Sequence, residues 1–250
     1  MNTQSLILSS VLIGIPVFIS YKEKLSMEKD ILISIVRAII QLVIAGYLLE
    51  FFFEVDNKFI TVILLLIMII NASYNAGKKF GKLKKAVFIS CIAMIIGTGV
   101  TLSVLILSGS LEVKPQDIIP TGGMIVSNSM VAIGLAYRNL NNEFNDKKME
   151  VEIKLALGAD IREASHDILK ESIKTGLVPV IDSAKTLGIV SLPGMMTGLI
   201  LGGASPIVAI KYQIMVTFMI LSSAAISTLI CVYMGYKSFF NKRMQINLIL

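Results

Sequence analysis

Seven long apolar segments dominate this sequence of 250 residues and restrict what the chain can fold into. A helix needs about 20 mainly apolar residues to cross the hydrocarbon core of a bilayer. Only 16% of the residues are charged, whereas a soluble domain carries about a quarter. We therefore predict an all-α fold: a polytopic helical membrane protein with about seven transmembrane helices. The predicted spans are residues 3–21, 31–53, 58–75, 86–108, 117–137, 186–204 and 209–236.

The basic residues lie almost entirely in alternate connections between these segments. Of the 23 Lys and Arg residues, 19 lie in the first, third and fifth connections and after the last segment, and three lie in the other connections. Cytoplasmic loops of membrane proteins carry such an excess of positive charge. The net charge of +6 fits contact with anionic lipid rather than nucleic acid. We predict an N-terminus outside, a C-terminus in the cytoplasm, and a multi-pass location in the cytoplasmic (inner) membrane.

The sequence lacks the motifs of an ATPase or of a metal-dependent enzyme. The nearest approach to a phosphate-binding P-loop, at Gly77-Lys78 and Gly81-Lys82, has neither the spacing nor the Ser or Thr that the motif needs. We predict one transmembrane permease domain over residues 1–250 that is not an enzyme and binds no cofactor itself. A pump of this kind would draw its energy from a partner or from an ion gradient.

The fifth connection is the only one long enough to form a cytoplasmic structure, and we predict a coupling region at about 138–175. Within it, Gly158 is expected to end a short helix and Asp160 to cap the next, which gives a compact elbow over residues 152–162. The spacing from Glu152 to Gly158 matches the Glu-Ala-Ala-x-x-x-Gly loop of ABC-transporter permeases, without its Ala-Ala pair or its closing Leu-Pro. An ordinary amphipathic connecting helix is the alternative. The candidate residues for coupling to an ATPase are Glu152, Ala156, Gly158, Ala159, Asp160 and Arg162.

Polar residues inside the apolar segments form a second group of candidates, because polar groups are costly in a bilayer. Arg37 and Gln41 lie one helical turn apart and share a helix face. Snorkelling of Arg37 to the interface is the alternative to a functional role. The run Ser127-Asn128-Ser129 lies in the middle of the fifth span. It either forms hydrogen bonds with another helix or lines a pathway.

Glycine and methionine residues mark the sixth segment. Gly194, Gly198 and Gly202 form two G-x-x-x-G steps, which allow a neighbouring helix to approach closely. This glycine stripe is a homodimer seam or a moving interface, or it packs within one chain. Thioethers among the 13 Met residues can bind soft metals, but flexible filling of the core is the expected role, and the metal ligands are unknown. The candidates for the translocation pathway or for helix packing are Arg37, Gln41, Ser127, Asn128, Ser129, Gly194, Met195, Met196, Gly198 and Gly202.

Several runs of residues resemble the FetB/YbbM permeases, which are described as the membrane subunits of ABC-type iron exporters. The most specific run is Ser191-Leu-Pro-Gly-Met-Met-Thr-Gly198, and the similarity extends through most of the chain. The other similarities are at Pro206 and in the runs Lys211-Tyr212-Gln213-Ile214, Gly123-Met124-Ile125, Asn128-Ser129-Met130 and Arg37-Ala38-x-x-Gln41-Leu42.

The resemblance implies a permease that works with other subunits. A separate ABC ATPase subunit would hold ATP and Mg, and a second copy of the permease would complete the transporter. Iron or a related metal would be exported through the cytoplasmic membrane. The elbow would then be the element that couples the permease to the ATPase.

A gradient-driven secondary transporter or channel that acts without an ATPase is the alternative function, and a membrane scaffold is a third. A proton-coupled carrier usually places a titratable carboxylate in the middle of the membrane. Here Glu50, Glu54 and Asp182 lie near the predicted span ends, and Asp182 is expected to pair with Lys185. We therefore expect an ATP-driven permease in contact with the lipid bilayer, an ATPase subunit and a second copy of itself.

Overall fold

The residues that the computed structural model describes are 8–55, 57–80, 83–241 and 243–246. This part of the chain is helical, and it contains two isolated bridges but no β-sheet. The prediction of an all-α fold is confirmed. The chain divides into two compact units, Met1–Asp56 and Asn57–Leu250. The single permease domain stays a prediction.

The first unit contains a short helix and a long helix joined by a tight connection. α1 (Gly14–Lys22) follows a 3-10 turn, and α2 (Glu28–Val55) is the longer helix. The buried hydroxyl of Ser20 donates to Glu28 Oε1 at 2.8 Å and accepts from the Met27 amide at 3.0 Å. These bonds hold the end of α1 against the start of α2. The predicted first span is described from residue 8 onward, and its earlier residues lie outside the described part.

The described residues of the second unit form seven α-helices. They are α3 (Lys58–Gly77), α4 (Leu83–Leu107), α5 (Pro115–Asp146), α6 (Lys148–Ala156), α7 (Ile161–Thr186), α8 (Gly194–Leu201) and α9 (Pro206–Gly235). The side chain of Asn57 accepts from the Phe59 amide at 2.9 Å and so caps α3. A proline begins α5 and α9, at a position where the missing N–H would have no partner within the helix.

Hydrogen bonds between small polar side chains align the long helices of the second unit. α4 runs antiparallel to α9, and the Ser227 hydroxyl donates to the Ala93 carbonyl at 3.2 Å. α5 runs parallel to α9: the hydroxyls of Ser129 and Ser223 meet at 3.4 Å, and further along both helices Gly235 lies beside the Tyr137 ring. Small side chains at these positions let the helix backbones approach closely. The two pairs place α9 between α4 and α5.

An aromatic cluster joins the helix ends of the second unit that carry the basic residues. Phe144 stacks on Phe239 with ring centroids 4.2 Å apart, and Phe80 packs edge-on against Phe239 at 5.4 Å. Asn141 Nδ2 donates to the Lys79 carbonyl at 3.3 Å. The ends of α3, α5 and α9 therefore lie together, and we call this the basic end. Its orientation towards the cytoplasm stays a prediction.

Five helices among the described residues are long and apolar enough to cross a membrane. Each of them coincides with one of the predicted spans, from the second to the fifth and the seventh. The prediction of a multi-pass membrane protein is confirmed. The candidate spans are Glu28–Phe53, Lys58–Phe80, Lys85–Leu107, Pro115–Asp146 and Pro206–Phe239.

The predicted sixth span, 186–204, is wrong as a continuous helix. Residues 187–193 are not helical, and α8 has only eight residues, about 12 Å at the helical rise per residue. Gly188 has a φ of +80°, a left-handed conformation that ends a right-handed helix. Pro193 occupies the N-cap of α8 with no side-chain cap.

Candidate functional site

The elbow is built from the end of α6, a left-handed turn and the start of α7. Gly158 has a φ of +96°, which glycine adopts without the steric cost of a Cβ. Asp160 accepts from the amides of Arg162 and Glu163, each at 2.7 Å, and Glu163 accepts from the Asp160 amide at 3.4 Å. This capping box satisfies the first amides of α7. The predicted glycine break and Asp-capped helix are confirmed, and the coupling role stays a prediction.

Buried side chains and one cation–π contact fix the elbow to the basic end. Val151, Ala164 and Ile168 are buried in the same apolar core as the aromatic cluster. The Arg162 guanidinium lies 5.5 Å from the centroid of the Tyr233 ring of α9, within the range of a cation–π contact. The elbow is therefore packed against the ends of the spanning helices.

Lys154 forms one ion pair within α6 and a second one between α6 and α7. Lys154 Nζ lies 2.7 Å from Glu150 Oε1 and 3.2 Å from Asp167 Oδ2. The hydrogen bond from Lys154 to Glu150 raises the pKa of Lys154, and the hydrogen bond to Asp167 raises it further. In turn, Lys154 lowers the pKa of Asp167. Because these groups are in contact with water, each pair adds little to stability.

An apolar stripe covers the outer surface of the elbow, and sequence reasoning missed it. Met149, Ile153 and Leu157 are 75%, 53% and 83% exposed. Their four-residue spacing places them on one helix face, and this spacing could have revealed the stripe in the sequence. α5 continues eight residues beyond Arg138, about 12 Å, so this elbow stripe lies outside the predicted span. Among the predicted coupling residues, Ala159 is half-buried. The others are exposed: Glu152, Ala156, Gly158, Asp160 and Arg162.

The predicted polar run on α5 divides among three environments. Ser129 is buried against Ser223, so it joins α5 to α9. Asn128 is half-buried and lines a cavity, and its amide donates to the Met124 carbonyl at 2.8 Å. Ser127 is exposed, and its hydroxyl donates to the same carbonyl at 3.2 Å. Ser129 therefore forms a hydrogen bond with another helix, whereas Asn128 lines a cavity.

A cavity of about 320 Å³ lies between α5, α7, α8 and α9, and we call it the polar cavity. The Thr217 hydroxyl in its wall donates to the Gln213 carbonyl at 2.8 Å. Gln213 Oε1 is buried and has no hydrogen-bond partner in the described part of the chain. Such an amide oxygen can accept a hydrogen bond or bind a cation. The polar residues in the lining are Asn128, Ser183, Gln213 and Thr217.

Two further cavities adjoin the polar cavity and bring the candidate methionines together. One, of about 430 Å³, shares Met124 and Met195 with the polar cavity and is also lined by Met215. The other, of about 380 Å³, shares Gln213 and is also lined by Met196. Met195 and Met196 of the predicted set therefore line cavities next to α9. Gln213 was not a predicted candidate, because only the resemblance to the FetB/YbbM permeases singles out its run, Lys211-Tyr212-Gln213-Ile214.

The glycine stripe of α8 is not packed against another helix among the described residues. A Cβ on Gly194 or Gly198 would meet no described atom within 4 Å, and one on Gly202 would meet only carbonyls of α8 itself, at 3.2 and 3.4 Å. Gly194 also lines the polar cavity. Arg37 and Gln41 lie on α2 in the first unit, and both are exposed.

The titratable side chains do not form a metal centre in the residues that the structure describes, since no group of three or more His, Cys, Asp or Glu occurs there. His166 is exposed, with Nδ1 3.6 Å from Asp167 Oδ1. Lys185 Nζ lies 2.8 Å from Asp182 Oδ1, so the predicted pairing of these two residues is confirmed.

Comparison with known proteins identifies relatives over nearly the whole chain. The model of the uncharacterised protein family UPF0014 matches residues 3–240. The chain is 49% identical over 245 residues to "Probable iron export permease protein FetB" of Escherichia coli strain K12, covering 98% of this chain and 95% of that protein. It is 35% identical to "Protein ALUMINUM SENSITIVE 3" of Arabidopsis thaliana, covering 94% and 86%. It is 34% identical to "UPF0014 membrane protein YjkA" of Bacillus subtilis strain 168, covering 98% of each chain. No solved structure matches the chain significantly.

These matches cover both the elbow and the polar cavity, and they extend over the second unit and most of the first. The resemblance to the FetB/YbbM permeases that the sequence indicates is confirmed. The chain belongs to the UPF0014 family of membrane proteins.

Proposed function

We propose that this chain is the permease subunit of an ATP-driven exporter. A separate ABC ATPase subunit binds ATP and Mg, and two permease copies form the pathway in the bilayer. The relative named as a probable iron export permease supports iron or a related metal as the transported species. The chain itself carries out no bond chemistry, binds no cofactor and has no nucleic-acid partner.

The exposed elbow stripe is the observation that carries this proposal. Met149, Ile153 and Leu157 present adjacent apolar surface beyond the span of α5. Exposed patches of this kind mark interaction sites, and a short helix with one apolar face fits a groove on a partner. Lys148 and Glu152 lie 3.9 Å apart on the same helix and supply a polar rim. The partner that docks there is the ATPase.

α7 links the elbow to the polar cavity as one continuous helix. It contains 26 residues, about 39 Å. It begins at the Asp160 cap in the elbow, and Ser183 and Ala184 near its other end line the cavity. A displacement of the elbow by the ATPase is therefore transmitted along α7 to the cavity. When two ATPase subunits bind ATP, they draw two elbows together and change the shape of both cavities.

A second copy of the permease fits the open surface of α8. The glycine stripe of α8 contacts no other helix in the described part of this chain. Glycines at this spacing allow close packing of helices in a bilayer. The seam between two copies, or a moving interface between them, accounts for the stripe better than packing within one chain.

A gradient-driven transporter or channel that acts without an ATPase is the alternative. Such a carrier usually needs a titratable carboxylate in its pathway. None of the described residues that line the polar cavity is Asp or Glu, although Glu112 and Asp117 line an adjoining cavity. The elbow stripe would have no function in a transporter that works alone. The ATP-driven exporter therefore agrees better with the elbow stripe.

Co-purification with the ABC ATPase of the same organism tests the proposal. Ile153→Asp and Leu157→Asp place a charge on the elbow stripe, and both positions are exposed, so the fold should persist. Both variants should lose the ATPase and its stimulation by metal. Met244→Asp is the matched control, because Met244 is 62% exposed but lies outside the elbow. Equal recovery of the ATPase with all variants would contradict docking on the stripe, and no recovery with the wild type would contradict the ATP-driven function.

A further inference from the structure

The last turns of α7 lie alongside the apolar part of α5. The two helices are antiparallel: Asn139 Nδ2 donates to the Ser172 hydroxyl at 3.4 Å, and a Cβ on Gly176 would lie 2.8 Å from the Ala132 carbonyl oxygen. Fourteen residues separate Ser172 from the end of α7, about 21 Å. The last turns of α7 therefore lie beside the predicted span 117–137 of α5.

α8 completes this crossing after a break. It adds about 12 Å and leads through residues 202–205 into Pro206 at the start of α9. Together the two helical parts measure about 33 Å, close to the hydrocarbon thickness of about 30 Å. We therefore interpret the sixth crossing as a discontinuous helix formed by the end of α7 and by α8. Non-helical backbone at this depth is tolerated where it is buried in protein or lines a hydrated cavity. Leu187 and Pro193 of the break line the polar cavity, whereas Ile189, Val190 and Leu192 are exposed in the single chain.

An ion pair near the end of α7 indicates that this face of the helix does not lie against lipid. Asp182 and Lys185 pair at 2.8 Å, and their side chains are 59% and 68% exposed. Asp182 lies ten residues beyond Ser172, about 15 Å deeper along α7. A charged pair at that depth is costly in contact with lipid. This face of α7 therefore borders a hydrated space, such as the one a second copy would enclose.

Side chains that carry neutral oxygens line the polar cavity. The Asn128 amide nitrogen is used in its bond to the Met124 carbonyl, and the Thr217 hydroxyl proton is used in its bond to the Gln213 carbonyl. Gln213 Oε1 is buried without a partner among the described residues. The C-terminus of α7, beside the cavity, carries a partial negative charge. Uncharged oxygens and a helix C-terminus are the groups that bind cations at broken membrane helices.

We infer that the polar cavity is a binding site for a hard divalent cation, held by the side-chain oxygens of Asn128, Gln213 and Thr217. This inference rests on the proposed function and names the class of ion and the place where it binds. Hard cations take oxygen ligands. A volume of about 320 Å³ accommodates the ion with part of its hydration shell, since a water occupies about 30 Å³. Ligands without charge hold the ion weakly enough for release.

The thioethers beside the cavity define the competing site. Met124 and Met195 border the polar cavity, and with Met215 they line the adjoining one. Thioether sulfur selects soft ions such as Cu(I) or Ag⁺ and binds hard divalent ions poorly. A site made of these methionines would therefore show the opposite preference. The choice of probe ion distinguishes the two sites.

Binding of Mn²⁺ to the purified full-length chain in lipid nanodiscs, measured by electron paramagnetic resonance, tests the inference. The wild type should bind Mn²⁺, and Gln213→Leu should weaken binding by about tenfold or more. Gln213→Glu should strengthen it, because a carboxylate replaces the amide at nearly the same size. Thr98→Val is the matched control: Thr98 Oγ1 is also buried without a partner, but Thr98 does not line the cavity. This variant should bind as the wild type does.

Two results would overturn the inference. One is an Mn²⁺ affinity that does not change in Gln213→Glu or in a folded Gln213→Leu variant. The other is an absence of Mn²⁺ binding together with Ag⁺ binding that is lost in Met195→Leu. The experiment contains no ATPase, so its failure leaves docking on the elbow stripe untouched. Conversely, Leu157→Asp should bind Mn²⁺ normally even where it loses the ATPase.

Discussion

Replacing Gly176 by alanine should force α7 away from α5 and weaken the second unit. A Cβ at this position would lie 2.8 Å from the Ala132 carbonyl oxygen, 3.0 Å from Thr228 Cγ2 and 3.1 Å from Ala136 Cβ. A backbone oxygen and a Cβ cannot rotate out of the way. α7 must therefore move by roughly half an ångström to restore ordinary van der Waals separation.

The size of the effect follows from two opposing terms. Overpacking of this kind costs about 1–3 kcal/mol, whereas alanine is favoured over glycine in a helix by about 1 kcal/mol. Gly99 in α4 separates the terms, because a Cβ there would meet no described atom within 4 Å. Gly99→Ala should gain the helix term alone. Gly176→Ala should therefore be about 1–3 kcal/mol less stable than Gly99→Ala.

Thermal unfolding of the two variants in the same detergent measures this difference. For a chain of this length, about 2 kcal/mol corresponds to a midpoint roughly 4–8 °C lower. Gly176→Ala should also reduce the metal-stimulated activity of the ATPase, because α7 connects the elbow to the polar cavity. Equal unfolding midpoints for Gly176→Ala and Gly99→Ala would refute the close packing of α7 on α5, and the transmission of movement along α7 with it.

Three further predictions concern the elbow. Gly158→Val should strain the left-handed turn by about 1–2 kcal/mol, and the inserted permease should no longer stimulate the ATPase; unchanged stimulation would refute the coupling role. Asp160→Ala should destabilise the start of α7 by about 0.5–2 kcal/mol and speed amide hydrogen exchange there, whereas Asp160→Asn should not. Because Lys154 lowers the pKa of Asp167, the contribution of their pair is complete above the ordinary aspartate pKa, near 3.9, and is lost as the pH falls through the lowered value; Lys154→Met should reduce this acid step in exchange protection, since His166 also lowers the pKa of Asp167.

The sequence predicted the elements whose signals are local. Each of the five long spans is a run of apolar residues that has the length of a membrane helix. Gly158 and Asp160 are likewise local signals, because a left-handed glycine and a capping carboxylate act on their own neighbours in the chain. The elbow could therefore be placed to within a few residues, whereas the second half of the capping box, formed by Glu163, was not predicted.

The discontinuous crossing could not be predicted because it depends on tertiary contacts. The C-terminal half of α7 contains Lys174, Asp182 and Lys185, and its hydropathy does not identify it as a span. We place it at membrane depth because Gly176 allows its close packing on α5. Counting apolar residues therefore shifted the sixth span to 186–204, where the chain breaks.

The main residues of the candidate sites were missed for a related reason. Gln213 is one polar residue in a long apolar helix, and only the packing of four helices shows that its oxygen is left without a partner. The elbow stripe is different, since the spacing of Met149, Ile153 and Leu157 was present in the sequence. Its significance depended on their exposure, which the sequence does not provide.

Transport in proteoliposomes tests the central claim most directly. The permease is reconstituted with and without the ABC ATPase, and movement of a divalent metal across the membrane is measured with and without ATP. The account predicts metal movement only when the ATPase and ATP are both present, and its loss in Leu157→Asp. Metal movement driven by an ion gradient in vesicles that contain the permease alone would contradict the account.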